Sequence, residues 1–473
     1  MEKTIEPTVN NVNYEEEQLS NIFNHQRQFF DSKATFPYEF RIKQLKKLKA
    51  AIRSYEKQIF AALKADLNKH EFESYGTEVG IVYEEINYTI KNLKKWMKPQ
   101  WKYSPIAMFP SSSYIYKDPL GCVFIVAPWN YPFQLLIAPL VGAIAGGNCA
   151  ILKPSEFTPE ITYVMRTIIK ETFDENYVAI VEGEGQTTVP YLLKKHRFDL
   201  VFFTGSIPVG KNIAELAAPK LTPVILELGG KSPCIVDKDV DMHHAAKRIV
   251  WGKFTNAGQT CVAPDYLLVH NSRKDEFISL LKKYILEFYG EDAKNSDFGR
   301  IINEKRFNTL ESYLSDGKII AGGQTDAASK FIAPTLLDSP SLDSAVMKDE
   351  IFGPILPVYG YNEYEETIEF IKRHPYPLAL YLFTNSDTVR ERYLKEVTFG
   401  GGCINNTLMH LCNPKIPFGG VGYSGMGNYH GKYSFDTFTH SKAVVKSGTW
   451  FDPGLLYAPF KEKIKIARMF LKY

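Results

Sequence analysis

No run of about twenty consecutive apolar residues occurs in the chain, so nothing in the sequence reads as a membrane-spanning helix. Cysteine is sparse: none of the six falls in a Cys-x-x-Cys pair, which argues for reduced thiols rather than a disulfide framework. The ten histidines show no spacing with Cys, Asp or Glu that would build a metal site, and none is expected. Charge of one sign is also missing. With 56 Lys and Arg against 53 Asp and Glu, the net charge of +3 gives no dense basic face for nucleic acid. The first residues, Met1 to Pro7, are polar and lack the apolar stretch of a secretory signal, so a cytoplasmic protein is expected. Repeats and low-complexity segments are absent too.

What remains is a long globular chain. Its 473 residues, 45% apolar, exceed one ordinary core, so two or more domains are expected. Tyr14 to Trp101 reads as helical. Trp101 to Lys117 turns to loop chemistry with a short strand around Tyr114 to Tyr116, as an arm reaching another subunit would. From Pro119, strands alternate with helices, the pattern of a parallel, doubly wound α/β sheet that binds nucleotides. A second series of strands and helices starts after Leu226. At the end, Phe460, Ile464, Ala467 and Leu471 share a helical face beside Lys461, Lys465, Arg468 and Lys472. Such a helix suits peripheral contact with an anionic membrane or docking on its own protein, and the sequence leaves both open.

One thiol stands apart. Cys122, Cys149 and Cys234 lie in or beside apolar runs, as buried filler does, whereas Cys261 sits among small and polar residues in Asn256-Ala257-Gly258-Gln259-Thr260-Cys261. Upstream, Glu227-Leu228-Gly229-Gly230-Lys231 offers a carboxylate and two glycines that let backbone approach a ligand or a second segment. Nucleophile plus base is the minimal kit for covalent catalysis. Asn130, held between Pro128 and Pro132, can present its amide to a developing oxyanion, although a turn-forming asparagine would look the same. Gly205 and Ser206, at a strand-to-helix turn, suit a phosphate, though the glycine spacing matches neither the dinucleotide fingerprint nor the P-loop. Lys153 and Glu156 end another strand, where a nucleotide ribose can be held. Glu350 and Phe352 precede a Gly-Pro turn and can grip a ribose or a nicotinamide.

These segments together resemble the aldehyde dehydrogenase superfamily over residues 18 to 450. Pro128-Trp129-Asn130, Lys153-Pro154-Ser155-Glu156, Thr204-Gly205-Ser206, Glu227 to Lys231, Gly258-Gln259-Thr260-Cys261 and Glu350 to Pro354 appear in that family's order. Pro417 to Gly427, Tyr429 to Lys432 and Phe435 to Phe438 are similar to the class 3 branch, which acts on fatty and aromatic aldehydes.

The resemblance implies a Rossmann-like NAD-binding domain (18–100 and 118–227), an α/β catalytic domain (228–432) and a small β oligomerisation arm (101–117 and 433–450). These lie between an N-terminal extension (1–17) and a basic tail (451–473). It implies Cys261 as nucleophile, Asn130 and the Cys261 N–H as oxyanion donors, and Glu227 as the base that activates water. Lys153 and Glu156 would take the adenosine ribose, Ser206 the pyrophosphate, and Glu350 with Phe352 the nicotinamide ribose. NAD is expected, with NADP as the alternative, a medium- or long-chain aliphatic or an aromatic aldehyde as the small-molecule substrate, and a homodimer as the assembly. Ile207-Pro208 departs from the residues that many relatives carry after the phosphate-loop serine.

Three rivals are kept. A CoA-acylating dehydrogenase would not want the water-activating Glu227, and a non-catalytic relative would be marked by loss of Cys261 or Glu227. A Cys-His hydrolase needs an imidazole against Cys261, and His270, nearest in sequence, lies beyond an apolar strand.

Overall fold

In the computed structural model, residues 14–452, 454 and 456–470 are described. Helices fill the stretch Glu16–Trp96, but in several pieces. Asn68 takes a left-handed φ of 54° to end the helix Glu56–Leu67, and Pro37 precedes the helix Tyr38–Ser54. These breaks are turn signals hidden inside the helical pattern. A π-helical turn, Tyr75–Val79, joins Glu71–Ser74 to Gly80–Trp96. Residues 1–13, most of the sequence's N-terminal extension, lie outside the described residues.

The first sheet has six strands. From edge to edge they are Gly425–Met426, Val224–Glu227, Leu200–Thr204, Cys122–Val126, Cys149–Lys153 and Val178–Ile180. The last five are parallel, and Gly425–Met426 joins antiparallel to Val224–Glu227. Cys122–Val126 and Leu200–Thr204 are neighbours although two strands separate them in the chain. Strand order therefore reverses between them, and open α/β sheets bind ligands outside the carboxyl ends of the strands at such a switch point. Asn130 and Ser206 follow these two strands directly. Every residue of Cys122–Val126, Cys149–Lys153 and Leu200–Thr204 is buried, which explains their near-continuous apolar sequence.

The second sheet orders Lys318–Ala321, Thr335–Asp338, Ile355–Tyr361, Tyr266–His270, Pro233–Val236, Ala379–Phe383 and Gly401–Ile404. Only Lys318–Ala321 runs antiparallel to its neighbour. Gly425–Met426, read by sequence with this second series, adds to the first sheet beside Glu227. Two residues are too short for their periodicity to reveal a strand.

A third sheet is the arm: Gln100–Lys102, Ser111–Pro119 and Thr439–Ser447, all antiparallel. The short strand read around Tyr114 extends over nine residues because Thr439–Ser447 pairs with its whole length. The helix Pro159–Thr172 begins with a proline in its first turn, and its N-cap Thr158 gives no side-chain cap. Asp66 supplies it from a distant helix, accepting the Glu160 and Ile161 N–H groups at 3.3 and 2.9 Å. Near the C-terminus, Lys463–Phe470 is helical, Phe460 precedes it, and Leu471 and Lys472 lie outside the described residues. Among the described residues, no helix is long and apolar enough to cross a membrane.

Candidate active site

The loop before Cys261 is bent by three successive left-handed residues, Asn256 (φ 54°), Ala257 (φ 52°) and Gly258 (φ 72°). Only glycine takes this region freely, so the conformation costs on the order of 1 kcal/mol or more at each of the other two and must be held from outside. Gln259 does part of this. Its Nε2 donates to the carbonyls of Asn256 and Arg300 at 3.1 and 2.9 Å, and its Oε1 accepts the Ile302 N–H at 3.0 Å. A Cβ at position 258 would collide with the Gly353 carbonyl, so this glycine also lets the Phe352 loop close in. Downstream, the Tyr381 hydroxyl donates to the Val262 carbonyl at 2.6 Å.

Cys261 is half-buried, while Cys122, Cys149 and Cys234 are fully buried, as their apolar surroundings imply. Burial, then the charges of Glu350 and Glu227, push the Cys261 thiol up, and its own N–H and that of Val262, directed at the sulfur, pull it down. The resting group is the thiol, so attack requires a proton acceptor.

Glu227 ends the strand Val224–Glu227, and its carbonyl accepts the Gly205 N–H at 3.0 Å. Its side chain is 2% exposed and neither carboxylate oxygen has a hydrogen-bond partner. Burial alone raises its pKa well above the ordinary value. Asn130 is equally buried, but its amide is anchored: Nδ2 donates to the Gln259 carbonyl at 3.0 Å. Tyr131 adds a second tie between the two loops, its hydroxyl 2.6 Å from Thr260 Oγ1. The structure thus brings Asn130, Glu227 and Cys261 to one place from three separate segments.

The remaining predicted residues line the carboxyl edge of the first sheet. Lys153 is the last residue of its strand and its ammonium meets the Pro154 carbonyl at 2.7 Å and Glu156 at 3.3 Å. Burial lowers the Lys153 pKa. Burial opposes ionisation of Glu156 too, but Lys153 and the Gly185 N–H at 3.0 Å hold its carboxyl below the usual range. Ser206 is the N-cap of the helix Ile207–Ala217, yet its hydroxyl makes no cap bond, which leaves it and the first-turn N–H groups open to an anion. Pro208 lies in that first turn, where a missing N–H costs the helix nothing. Gly205 makes its turn without a left-handed φ, and its missing side chain leaves room for the Phe203 ring.

Glu350 sits against Gly229, where any Cβ would collide with its carboxylate, so the glycine makes the close approach that sequence suggested. Burial and Asp265 push Glu350 up to about 8, against Arg306, the Gly230 N–H and Lys231. Phe352, at a φ of 46°, packs edge-on against Trp129 at 5.3 Å. His270 bonds Ser272 in its own turn, so the site has no Cys-His pair through it. Among the described residues, no cluster fit for a metal occurs.

Sequence reasoning missed the supports. Lys231 pairs with buried Asp265 and also donates to the carbonyls of Val346 and Asp349 at 3.0 and 2.9 Å, while Asp265 accepts the Ile351 N–H at 2.9 Å. This fixes the loop that presents Glu350. Lys69, just past the helix Glu56–Leu67, and Glu78, in the turn Tyr75–Val79, bond each other and the Asn130 loop. Charged residues in a helical stretch normally read as solvent-facing, so no signal marked them. Asn256 and Gln259 stood inside the nucleophile motif, and their pairing was visible only in three dimensions.

Comparison with known proteins shows the family. The aldehyde dehydrogenase family pattern matches residues 4–444. The chain is 50% identical to a 4,4'-diaponeurosporen-aldehyde dehydrogenase of Staphylococcus aureus over 94% of its own length and 99% of that protein. It is 45% identical to a rat protein named aldehyde dehydrogenase, dimeric NADP-preferring, over 91% and 95% of the two chains. The structure superposes on a substrate-bound S. aureus AldH with a TM-score of 0.94, 49% identity and coverage of 98% and 100%. The chain belongs to the aldehyde dehydrogenase family.

Proposed function

We propose that Cys261 is the nucleophile, Glu227 the base and Asn130 the oxyanion donor with which this enzyme oxidises an aldehyde to a carboxylic acid. The observation that carries the assignment is a half-buried cysteine within electrostatic reach of a buried carboxylate whose oxygens bond nothing among the described residues. Attack forms the Cys261 sulfur–carbon bond and puts negative charge on the aldehyde oxygen, which the second Asn130 N–H and the Cys261 N–H can take up. The thiol proton goes to a base, and Glu227, with its pKa raised by burial and its oxygens free, is the group suited to accept it. The nicotinamide dinucleotide, NAD or NADP, supplies the oxidant by taking a hydride. Glu227 gives up the thiol proton to solvent and then takes one from water, whose oxygen attacks the thioester carbon. The carbon–sulfur bond breaks, the acid departs, and the Cys261 sulfur is reprotonated to the resting thiol.

The residues present fit the dinucleotide. Ser206 and the open helix start suit a pyrophosphate, the Lys153–Glu156 pair suits ribose hydroxyls, and Gly229 holds Glu350 where a nicotinamide ribose would meet it. The class 3 branch is supported by the run Pro417 to Gly427, and a long apolar aldehyde is the substrate class we favour, consistent with the name of the S. aureus relative. We place the enzyme in the cytoplasm as a dimer. Support for the dimer is the strand Thr439–Ser447, whose outer edge is unpaired and whose residues are exposed after the first. Support for a peripheral membrane contact is the exposure of Trp450, Leu456, Phe460 and Ile464 beside Lys461 and Lys465.

The test is reduction of NAD and of NADP with short, long-chain and aromatic aldehydes, with and without CoA, for wild type and Cys261→Ala. Turnover without CoA that falls at least roughly 10⁴-fold in the variant is expected. Activity surviving in the variant would overturn the site assignment, and an absolute need for CoA would replace hydrolysis by acyl transfer.

A further inference from the structure

Lys69 has a completely buried side chain, and its ammonium is enclosed on three sides. Nζ lies 2.5 Å from Glu78 Oε1, 2.8 Å from the Asn130 carbonyl and 4.1 Å from the centre of the Tyr131 ring. The other Glu78 oxygen accepts the N–H groups of Phe133 and Gln134 at 2.9 and 3.2 Å. The pair therefore grips the loop at the Asn130 carbonyl and again three and four residues later, at Phe133 and Gln134. Glu78 lies in the π-helical turn Tyr75–Val79, a backbone irregularity of the sort often found at functional sites. From the same segment, Glu73 reaches the nucleophile loop and accepts the Asn256 N–H at 2.8 Å. Asn256 in turn donates to the carbonyls of Asn130 and Gln259 at 2.9 and 3.2 Å.

A buried ion pair is a poor way to gain stability, since apolar residues of the same volume commonly do as well or better. Its value here is directional. Asn130 can serve an oxyanion with one N–H only while the other stays on the Gln259 carbonyl, and that depends on where the Asn130 backbone is held.

We propose that Lys69, clamped by Glu78, is a positioning residue that fixes the Asn130 backbone and so aims its side-chain amide at the oxygen of the carbonyl that Cys261 attacks. The inference rests on the assignment of Asn130 as oxyanion donor. It places part of the catalytic geometry in the N-terminal helices, outside every motif that identifies the family here.

The test needs no dinucleotide. p-Nitrophenyl acetate can acylate Cys261: the sulfur–carbon bond forms, the bond to p-nitrophenolate breaks, and the charge passes through the same oxyanion. The burst rate of p-nitrophenolate is measured for wild type, Asn130→Ala, Lys69→Met and Lys69→Met in the Asn130→Ala background. Lys69→Met/Glu78→Gln, which removes both charges, serves if the single variant does not fold.

We expect Asn130→Ala to slow the burst by about a hundredfold or more. Lys69→Met, alone or with Glu78→Gln, should slow it by about tenfold to a hundredfold, with NADH affinity by protein fluorescence unchanged. In the Asn130→Ala background the Lys69 change should cost less than about twofold, the non-additivity of residues acting through one another. An unaltered burst in Asn130→Ala would remove the assignment on which the proposal rests. A strong Asn130 effect with a wild-type burst in the Lys69 variants, or with additive losses, would overturn the proposal alone.

Discussion

Two buried carboxylates, Glu78 against the Asn130 loop and Glu227 at the end of the strand Val224–Glu227, live in opposite circumstances. Glu78 has an ammonium on one oxygen and two backbone amides on the other. Glu227 is as deeply buried and has nothing. A fold spends hydrogen bonds where it must hold a shape and withholds them where a group must be free to exchange a proton. The region behind the reacting atoms is scaffold, and the region facing them is kept uncompensated.

Glu227→Gln tests the uncompensated side and should have the largest effect. Aldehyde oxidation is expected to fall by about 10² to 10⁴-fold as the acyl-enzyme accumulates for want of a base, read by steady-state turnover and by mass spectrometry of trapped enzyme. Stability should move the other way. The unfolded chain ionises this glutamate near its ordinary value of 4.5, while the fold holds the pKa well above that. Folding stability is therefore greatest below the unfolded value and declines as pH rises towards the folded one, so the variant should melt higher than wild type near pH 7. The rise should shrink in acid. A lower melting temperature in Glu227→Gln at neutral pH would mean that the carboxylate has a stabilising partner after all.

Wild-type turnover should carry the same signature. Glu227 must be ionised to act, and the Cys261 thiol must lose its proton, and burial raises both. The rate should therefore climb from neutral into alkaline pH, measured as kcat across the range. A rate that is flat from mildly acid pH upward would contradict this.

Glu78→Gln tests the scaffold. It removes the carboxylate that bonds the buried Lys69 ammonium, so a loss of about 3 kcal/mol is expected in denaturant unfolding. The two substitutions are the same chemical change at matched burial, and the comparison stands only if their effects on stability have opposite signs.

This contrast also shows what the sequence could reveal. The parallel sheet at residues 119 to 204 was legible because strands buried on both faces are apolar throughout. Cys261, Glu227 and Asn130 were legible because chemistry needs particular residue types in small or stiff surroundings. Lys69 and Glu78 were not, since each is an ordinary charged residue in a helical stretch of sequence until the Asn130 loop folds over it. Asp66, which caps a helix begun at Pro159, was hidden for the same reason: the donor and acceptor come from distant segments. Gly425–Met426 was missed because pairing, not periodicity, makes it a strand.

Glu156 lies between the extremes and yields the smallest effect. It is partly exposed, and Lys153 and the Gly185 N–H answer its charge. In the proposed complex its carboxylate would accept from the adenosine ribose hydroxyls, where a 2'-phosphate would meet like charge. At a solvated site such repulsion is worth roughly 1 kcal/mol, so Glu156→Gln should raise the ratio of kcat/KM for NADP over NAD by about five- to tenfold. Part of that gain would come from Lys153, which loses its carboxylate partner and is free to meet the phosphate. An unchanged ratio would place the 2'-position away from Glu156. A fall in the NADP term alone would mean that Glu156 chiefly serves to hold Lys153 where the phosphate needs it.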